Sequence, residues 1–201
     1  MSEYYLSRSI DIQNIPDLVE IHQKSFKGFF LTFLGPNFIA KLYEAIVLDP
    51  SGIGYVALKD NSVNGFVIGT TQPKGFYGRL LRKRWWQFGW AAFPAFIGNP
   101  KILPRLLRAF SKAHQEQPTE NCGELMSIAV HPETQRQGVG KQLVQAFLDE
   151  ARQRGLEYVN LATDAENNDA VNNFYLNLGF NINRTYITPE KRVMNEYVIH
   201  L

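Results

Sequence analysis

The sequence predicts a mixed α/β (α+β) fold, and three observations lead to this prediction. Apolar stretches of strand character alternate with segments of helical apolar spacing along most of the chain. A strand, a tight turn and a helix follow one another between Glu124 and Arg154. The chain closes with two neighbouring strand-like segments, Phe180–Thr188 and Lys191–Leu201. The length of 201 residues suits one well-buried core, so we expect a single domain over residues 1–201.

Composition excludes several classes of protein. A net charge of +2 is too small to indicate nucleic-acid binding, and we expect no nucleic-acid partner. The single cysteine, Cys122, precludes an internal disulfide, which favours a reducing, cytoplasmic location. No run approaches the ~18 apolar residues that a membrane-spanning helix requires.

The first half of the chain is predicted to hold two helices between strands. Pro16 stands near the first turn of a helix, where the missing N–H is tolerated, and Pro36-Asn37 precedes the second helix. The predicted order is a strand Tyr4–Ile10, a helix from Asn14 through Phe26, an apolar loop Gly28–Leu34, a helix from Phe38 to Val47, and a hairpin formed by Tyr55–Lys59 and Val63–Thr71.

The second half alternates strand and helix before the closing strand pair. The predicted order is a strand Glu124–Val130, a helix from Val139, a strand Tyr158–Thr163 and a short helix Asn168–Asn177 that Gly179 ends.

An insertion of about fifty residues, at about 73–120, separates the hairpin from the strand at Glu124. Residues 73–115 carry nine Lys/Arg, no Asp/Glu and all three tryptophans, and Ile102–Ala113 has amphipathic helical spacing. Three interpretations stay open: a helical insert packed on the domain or on a second subunit of a homodimer, a lid that recognises the acceptor, and peripheral contact with an anionic membrane surface.

A glycine pair marks the turn before the helix at Val139. Gly138 and Gly140 leave the first N–H groups of that helix without side-chain cover, and these donors with the helix dipole favour a phosphate group. Arg136 and Lys141 add positive charge beside it. A P-loop would need Lys-Ser/Thr after the second glycine, and a dinucleotide fingerprint would need a third glycine where Leu143 stands. A helix start without a ligand remains the alternative.

The segment Gln135-Arg136-Gln137-Gly138-Val139-Gly140 resembles the Gln/Arg-x-x-Gly-x-Gly/Ala motif of the GNAT (GCN5-related) N-acetyltransferase superfamily. The resemblance implies a mixed, mostly antiparallel sheet flanked by helices, with the insertion between strands 3 and 4. It also implies an acyltransferase that uses acetyl-coenzyme A as co-substrate and needs no metal. The residues implied to bind the coenzyme here are Ile128, Ala129, Val130, Arg136, Gln137, Gly138, Val139, Gly140 and Lys141.

A second motif supports the same family. The segment from Asn168 to Phe180 resembles Asn-x-x-Ala-x-x-Phe-Tyr-x-x-x-Gly-Phe, with Val171 where alanine is usual. By resemblance, Asn168 contacts the coenzyme arm, and Tyr175 lies near its sulfur and protonates the departing thiolate. A phenol with pKa near ~10 can donate to a thiolate with pKa of about 8.5 at little energetic cost.

Glu124 is the candidate general base. It stands fourteen residues before Gly138, the spacing of the catalytic glutamate in the histone-acetylating branch of the family. A solvated surface charge is the alternative. The expected reaction is acetyl transfer to a primary amine of a small molecule, an amino sugar or a protein. The other functions left open are a non-catalytic acyl-coenzyme A-binding or membrane-surface protein, and transfer of a longer acyl chain.

Overall fold

The computed structural model describes residues 5–7, 9–98 and 121–201. Seven strands form one sheet and six helices are described around it. In chain order the elements are β1 Tyr5–Ser7, α1 Ile15–Ser25, α2 Phe30–Phe33, α3 Pro36–Val47, β2 Gly52–Lys59, β3 Ser62–Thr70, α4 Phe76–Gly98, β4 Cys122–Val130, α5 Val139–Gln153, β5 Tyr158–Asp164, α6 Asp169–Asn177, β6 Asn181–Ile187 and β7 Val193–His200.

The sheet is mixed and mostly antiparallel, which confirms the predicted fold class. The strand order is β1-β2-β3-β4-β5-β7-β6, and β4–β5 is the one parallel pair in the described sheet. Two apolar cores lie on its opposite faces. Helices α1, α3 and α4 cover β2, β3 and β4 on one face, whereas α5 and α6 pack on the other. The sheet therefore separates a face covered by the first four helices from a face covered by the last two.

A β-bulge in β4 opens the sheet at its centre. Ile68 pairs with Ser127 and Gly69 pairs with Leu125, so Met126 is the extra residue on β4. Such an insertion bends the strand that carries it. Pairing between β4 and β5 covers three positions and ends at Glu124 opposite Asn160. Beyond this point both strands continue without pairing to each other, and we call the unpaired stretch between them the gap.

Two details of the first half differ from the sequence prediction. The predicted loop Gly28–Leu34 contains the short helix α2, which brings Leu34 into the core at 2% exposure. The hydroxyl of Thr32 stabilises this turn by donating to the carbonyl oxygen of Phe26 over 2.7 Å. The first strand is described only over Tyr5–Ser7, shorter than predicted.

The insertion between β3 and β4 begins with α4, which confirms its predicted helical character as far as Gly98. The helix bends at Arg84, whose φ of −137° and ψ of 24° are non-helical. It packs against α3, where the rings of Phe38 and Phe88 lie 5.5 Å apart. The predicted helix Ile102–Ala113 lies outside the described residues. No helix in the described ranges combines the length and hydropathy that crossing a bilayer requires.

We expect Gly69→Ala to lower the free energy of unfolding by about 1–3 kcal/mol, because close packing tolerates no added carbon here. A Cβ at this position would lie 2.1 Å from the carbonyl oxygen of Glu124 and 2.8 Å from the ring of Phe147. The matched control is Gly89→Ala, where nothing lies within 4 Å of the added carbon and the helix gains up to about 1 kcal/mol. Urea titrations measure both, and similar midpoints for the two variants would contradict this account.

Candidate active site

The turn before α5 has the backbone geometry of an anion site. Gly138 precedes the helix in the left-handed region, with φ of +83° and ψ of −4°. A Cβ there would have no atom within 4 Å, so the conformation and not the space favours glycine. The first turn's N–H groups have no intrahelical acceptor. Arg136 and Lys141 lie exposed on either side of Gly138. The turn therefore offers backbone donors and two cations to solvent.

Gly140 joins this turn to the second motif. A Cβ on Gly140 would lie 3.4 Å from the ring of Phe174 and 3.8 Å from a methyl group of Val130. The start of α5 therefore approaches β4 and α6 closely. The Phe174 ring lies 5.2 Å from that of Tyr175, which the sequence identified as the candidate acid. Two motifs separated by about thirty residues thus meet in one place.

The gap between β4 and β5 exposes one edge of β4. Ile128, Ala129 and Val130 pair with β3 on their other side. The side chains of Ile128 and Val130 pack with the core under α5 and α6, and Ala129 packs with the opposite core. The β5-facing backbone groups of this stretch have no ladder partner in the described part of β5. An extended ligand chain could hydrogen-bond there as an added strand does.

Tyr175 is almost buried on the α5–α6 face, with 5% of its surface exposed. Its ring contacts Phe174, Phe180 and Tyr197, with centroids 5.2, 5.6 and 5.8 Å away. Burial and the nearby Tyr197 phenol raise the pKa of Tyr175 well above its ordinary value. The phenol therefore stays protonated at neutral pH, as a proton donor must, and the same shift makes it a weaker acid than an ordinary tyrosine, so transfer to a thiolate costs more than the sequence analysis expected.

Two asparagines fix the position of α6. The amide nitrogen of Asn168 donates to the hydroxyl of Thr163 and to the carbonyl oxygen of Asp164 at 2.9 and 3.0 Å. The amide nitrogen of Asn172 donates to the same carbonyl oxygen at 3.0 Å, and its own oxygen accepts from the Tyr197 hydroxyl at 2.8 Å. Asn168 thus fixes the start of α6 through its side-chain amide nitrogen. Its side-chain amide oxygen is the atom that it could offer to a ligand.

Glu124 lies where β4 and β5 separate. It pairs with Thr70 of β3 and with Asn160 of β5, and its side chain is half-buried. Burial is the main cause that raises the pKa values of Tyr77 and Tyr186, and the negative charge of Glu124 adds to both shifts. The negative charge of Glu124 is therefore felt by phenol groups on α4 and β6, at the end of the paired part of β4 and β5.

Asn160 is a polar residue that the sequence analysis missed. It is the β5 partner of Glu124 in the ladder, so the two side chains share one face of the sheet. Its side chain is 4% exposed, and its amide oxygen has no hydrogen-bond partner among the described residues. Such a buried acceptor is energetically unfavourable unless a donor reaches it. The sequence shows only an asparagine within an apolar strand, which is a weak signal.

His22 forms a second buried polar group on the α1–α3 side. Its Nδ1 lies 2.6 Å from the Tyr43 hydroxyl, which lies 3.3 Å from the hydroxyl of Ser127 beside the bulge. Burial lowers the pKa of His22 to about 4, so the imidazole is neutral at pH 7. The sequence alone gives no signal for this histidine, because its partner Tyr43 lies 21 residues away.

Cys122 is buried at the start of β4, and its thiol donates to the carbonyl oxygen of Gly123 at 3.4 Å. Burial, with a contribution from the Glu124 charge, raises the pKa of Cys122 to about 11. The protonated thiol is a poor nucleophile. Across the described residues, no group of three or more His, Cys, Asp or Glu side chains is arranged to hold a metal ion.

The mixed sheet with its short parallel pairing, the glycine turn before α5 and the tyrosine on α6 agree with an acyltransferase of the N-acetyltransferase type. The sequence model of the Acetyltransferase (GNAT) family matches residues 15–180, and the chain belongs to that family. This membership confirms the resemblance inferred from the two motifs.

Individual relatives agree with the family assignment. Mycothiol acetyltransferase of Nocardia farcinica is 42% identical over 88 residues, which cover 42% of this chain and 28% of that protein. Ribosomal-protein-alanine N-acetyltransferase from Brucella melitensis superposes with a TM-score of 0.65 at 14% identity, covering 98% of this chain and 99% of that one. PaiA N-acetyltransferase from Thermoplasma acidophilum, solved with coenzyme A, superposes with a TM-score of 0.57 at 13% identity, covering 96% of this chain and 98% of that one. Both of these structures have the same fold as this chain.

We expect His22 to make the protein less stable in acid. The pKa of His22 in the native state lies below the ordinary value. As the pH falls, the imidazole therefore takes up a proton in the unfolded chain before it does so in the native state. Stability is therefore lost as pH falls from ~6.5 towards about 4, by up to about 3 kcal/mol. His22→Gln should reduce this loss in urea titrations at pH 7 and pH 4.5. His200→Gln, at the exposed end of β7, is the control, and an identical acid loss in His22→Gln and the wild type would refute the argument.

Proposed function

We propose that this protein transfers an acetyl group from acetyl-coenzyme A directly to a primary amine, using a single domain over residues 1–201 with an insertion at about 73–120. One observation carries the proposal. The exposed turn at Gly138 leads into Gly140, which closely approaches Val130 of β4 and Phe174 of α6, and the Phe174 ring lies 5.2 Å from that of Tyr175. This proximity supports placing the diphosphate at the turn and the proton donor next to it.

The coenzyme is proposed to bind between the turn at Gly138 and the phenol of Tyr175. Its diphosphate meets the N–H groups of the turn, with the cations beside them, at Arg136, Gln137, Gly138, Val139, Gly140 and Lys141. Its extended arm pairs with the open edge of β4 at Ile128, Ala129 and Val130, and Asn168 contacts it from α6. The complex of PaiA N-acetyltransferase with coenzyme A supports this assignment, since that protein shares the fold.

The proposed chemistry is a direct displacement. The amine nitrogen attacks the thioester carbonyl carbon, the carbon–sulfur bond breaks, and an amide forms. Backbone N–H groups of β4 at the bulge polarise the carbonyl, because the bent strand leaves them unpaired on the β5 side. Tyr175 gives its proton to the departing sulfur, the acylated nitrogen loses its extra proton as the neutral amide forms, and that proton restores the phenol, directly or through water.

The amine must lose a proton before it attacks. An alkylammonium with pKa of about 10.4 is only about one part in a thousand neutral at pH 7. Glu124 is the proposed base, acting directly or through a water. Asn160 supports this position for the amine, because its buried oxygen needs an N–H donor and lies on the same sheet face as Glu124. The two residues together would orient a primary amine at the end of the gap next to the paired positions.

The acceptor is proposed to be a primary amine of a small molecule, an amino sugar or a protein. The relatives span this range by name, from mycothiol acetyltransferase to ribosomal-protein-alanine N-acetyltransferase. Family membership favours an enzyme over a non-catalytic acyl-coenzyme A-binding protein. Transfer of a longer acyl chain is tested by varying the acyl group in the same assay.

Thiol release from acetyl-coenzyme A with a panel of amines tests this function, and calorimetry measures coenzyme binding separately. Tyr175→Phe should bind acetyl-coenzyme A as the wild type does and lose at least about tenfold in kcat, because the thiolate leaves unprotonated. Tyr158→Phe is the control, because Tyr158 stands at the start of β5 and its ring lies against that of His200 at the end of β7. An unchanged kcat in Tyr175→Phe would remove the proposed acid, and no heat with acetyl-coenzyme A would remove the whole proposal.

Glu124→Gln should lower kcat at neutral pH while leaving coenzyme affinity nearly unchanged. We expect a loss of about 10²-fold or more at pH 7 that shrinks towards pH 10, because the neutral amine then becomes abundant without a base. Glu157→Gln removes an exposed carboxylate just before β5 and serves as the control. A loss of equal size at pH 7 and pH 9.5 would show that Glu124 does not act as the base.

A further inference from the structure

The helix α4 has two chemically different faces. Its inner face buries Phe76, Leu80 and Phe88 against the core under α3. Its outer face carries Arg82 and Lys83, which are exposed, and two tryptophans whose side chains remain largely in contact with solvent. Trp86 is 55% exposed and Trp90 is 75% exposed. Large aromatic side chains rarely stay in water without a function.

The two tryptophans form one patch. They are four residues apart in a helix, which places them one above the other on the same side. Arg82 and Lys83 precede the bend at Arg84, and the tryptophans follow it. Gly89, which lies between the tryptophans in sequence, is also exposed. We call Arg82, Lys83, Trp86 and Trp90 the α4 outer face.

The charge of this region has one sign. The carboxylate of Glu44 is already matched by Lys41 at 2.6 Å and by Arg84 at 3.3 Å. Lys83 lies 3.9 Å from Asp49, the limit of an ion pair, and its side chain remains 65% exposed. Arg82 makes no ion pair with the described residues. Residues 73–115 contain nine basic and no acidic side chains, so nothing within this segment neutralises the patch.

We propose that the α4 outer face docks on the surface of an anionic phospholipid bilayer. Tryptophan rings prefer the boundary between headgroups and acyl chains, and arginine and lysine are attracted to the lipid phosphates. The helix lies in the plane of the surface with its inner face still packed on α3. The proposal is independent of the acyl-transfer chemistry.

A second copy of the chain is a less suitable occupant. A two-fold dimer places the same patch on both sides of its interface, so two copies of Arg82 and Lys83 would meet with only Asp49, beside Lys83, to offset their charge. Like charges brought together in this way oppose association. A lipid surface supplies the missing negative charge and an apolar layer for the rings, which makes the pairing complementary.

The chain carries its own reporter for this proposal. All three of its tryptophans, Trp85, Trp86 and Trp90, lie in α4, so intrinsic fluorescence reports on this helix alone. The full-length protein is mixed with vesicles of phosphatidylcholine alone, or with 30% phosphatidylglycerol added, on the order of physiological surface charge. We expect co-sedimentation with the anionic vesicles, a blue shift, and quenching by brominated acyl chains, all weakened by salt.

Surface substitutions separate the contribution of the tryptophans to vesicle binding from that of the basic side chains. The double variant Trp86→Ala/Trp90→Ala should lower partitioning at least about tenfold, and Arg82→Glu should lower it several-fold at low salt. The controls are Ile187→Ala, which removes a 70% exposed apolar side chain on β6, and Arg152→Glu, which reverses an exposed charge on α5. Circular dichroism checks that each variant is folded.

Three results would overturn the proposal. One is the absence of binding to anionic vesicles, and another is equal binding to neutral and anionic vesicles. The third is a dimer that the double tryptophan variant converts to a monomer in sedimentation velocity while vesicle binding stays absent. Thiol-release activity with a soluble amine should be unchanged in the double variant, which keeps failure of docking distinct from failure of catalysis.

Discussion

The early end of pairing between β4 and β5 is the constraint on which the rest of the structure depends. Three ladder positions hold the strands together, and the extra residue Met126 then bends β4. Continuous pairing would satisfy the backbone groups of Ile128–Val130 and leave no opening in the sheet. The bulge instead leaves one edge of β4 open in the middle of the molecule. It also sets Glu124 and Asn160 side by side at the closed end of that opening.

The packing on either side of the opening keeps its two borders in place. On the α6 side, Asn172 ties the helix to β5 and β7 through bonds to Asp164 and Tyr197. On the other side, the buried contact of His22 with Tyr43 reaches Ser127 next to the bulge. Buried hydrogen bonds of this kind are costly to break, because each leaves a desolvated polar atom behind. The gap is therefore a property of the fold and does not require a ligand to form.

The sequence predicted those parts of the fold and candidate site that depend on local chemistry. The turn at Gly138 and the spacing from Asn168 to Tyr175 are short-range patterns, because left-handed glycine and helical periodicity leave a signature in neighbouring residues. Asn160 and His22 were missed, since their significance comes from Glu124 and Tyr43, which are distant in sequence. The helix α2 was missed because four residues are too few to show a helical period, and burial of Leu34 decides its conformation.

Two phosphate-binding regions are proposed in this chain, and they would recognise phosphate by different physics. At Gly138 the donors are backbone N–H groups fixed by the helix start, so their geometry selects one diphosphate position and salt weakens them little. On α4, Arg82 and Lys83 stand on long, exposed side chains whose attraction is diffuse and is screened within about 10 Å at ordinary ionic strength. A rigid turn suits a coenzyme that must place its sulfur near Tyr175. A flexible cationic face suits a fluid lipid surface, where many headgroup positions are equivalent and only proximity matters.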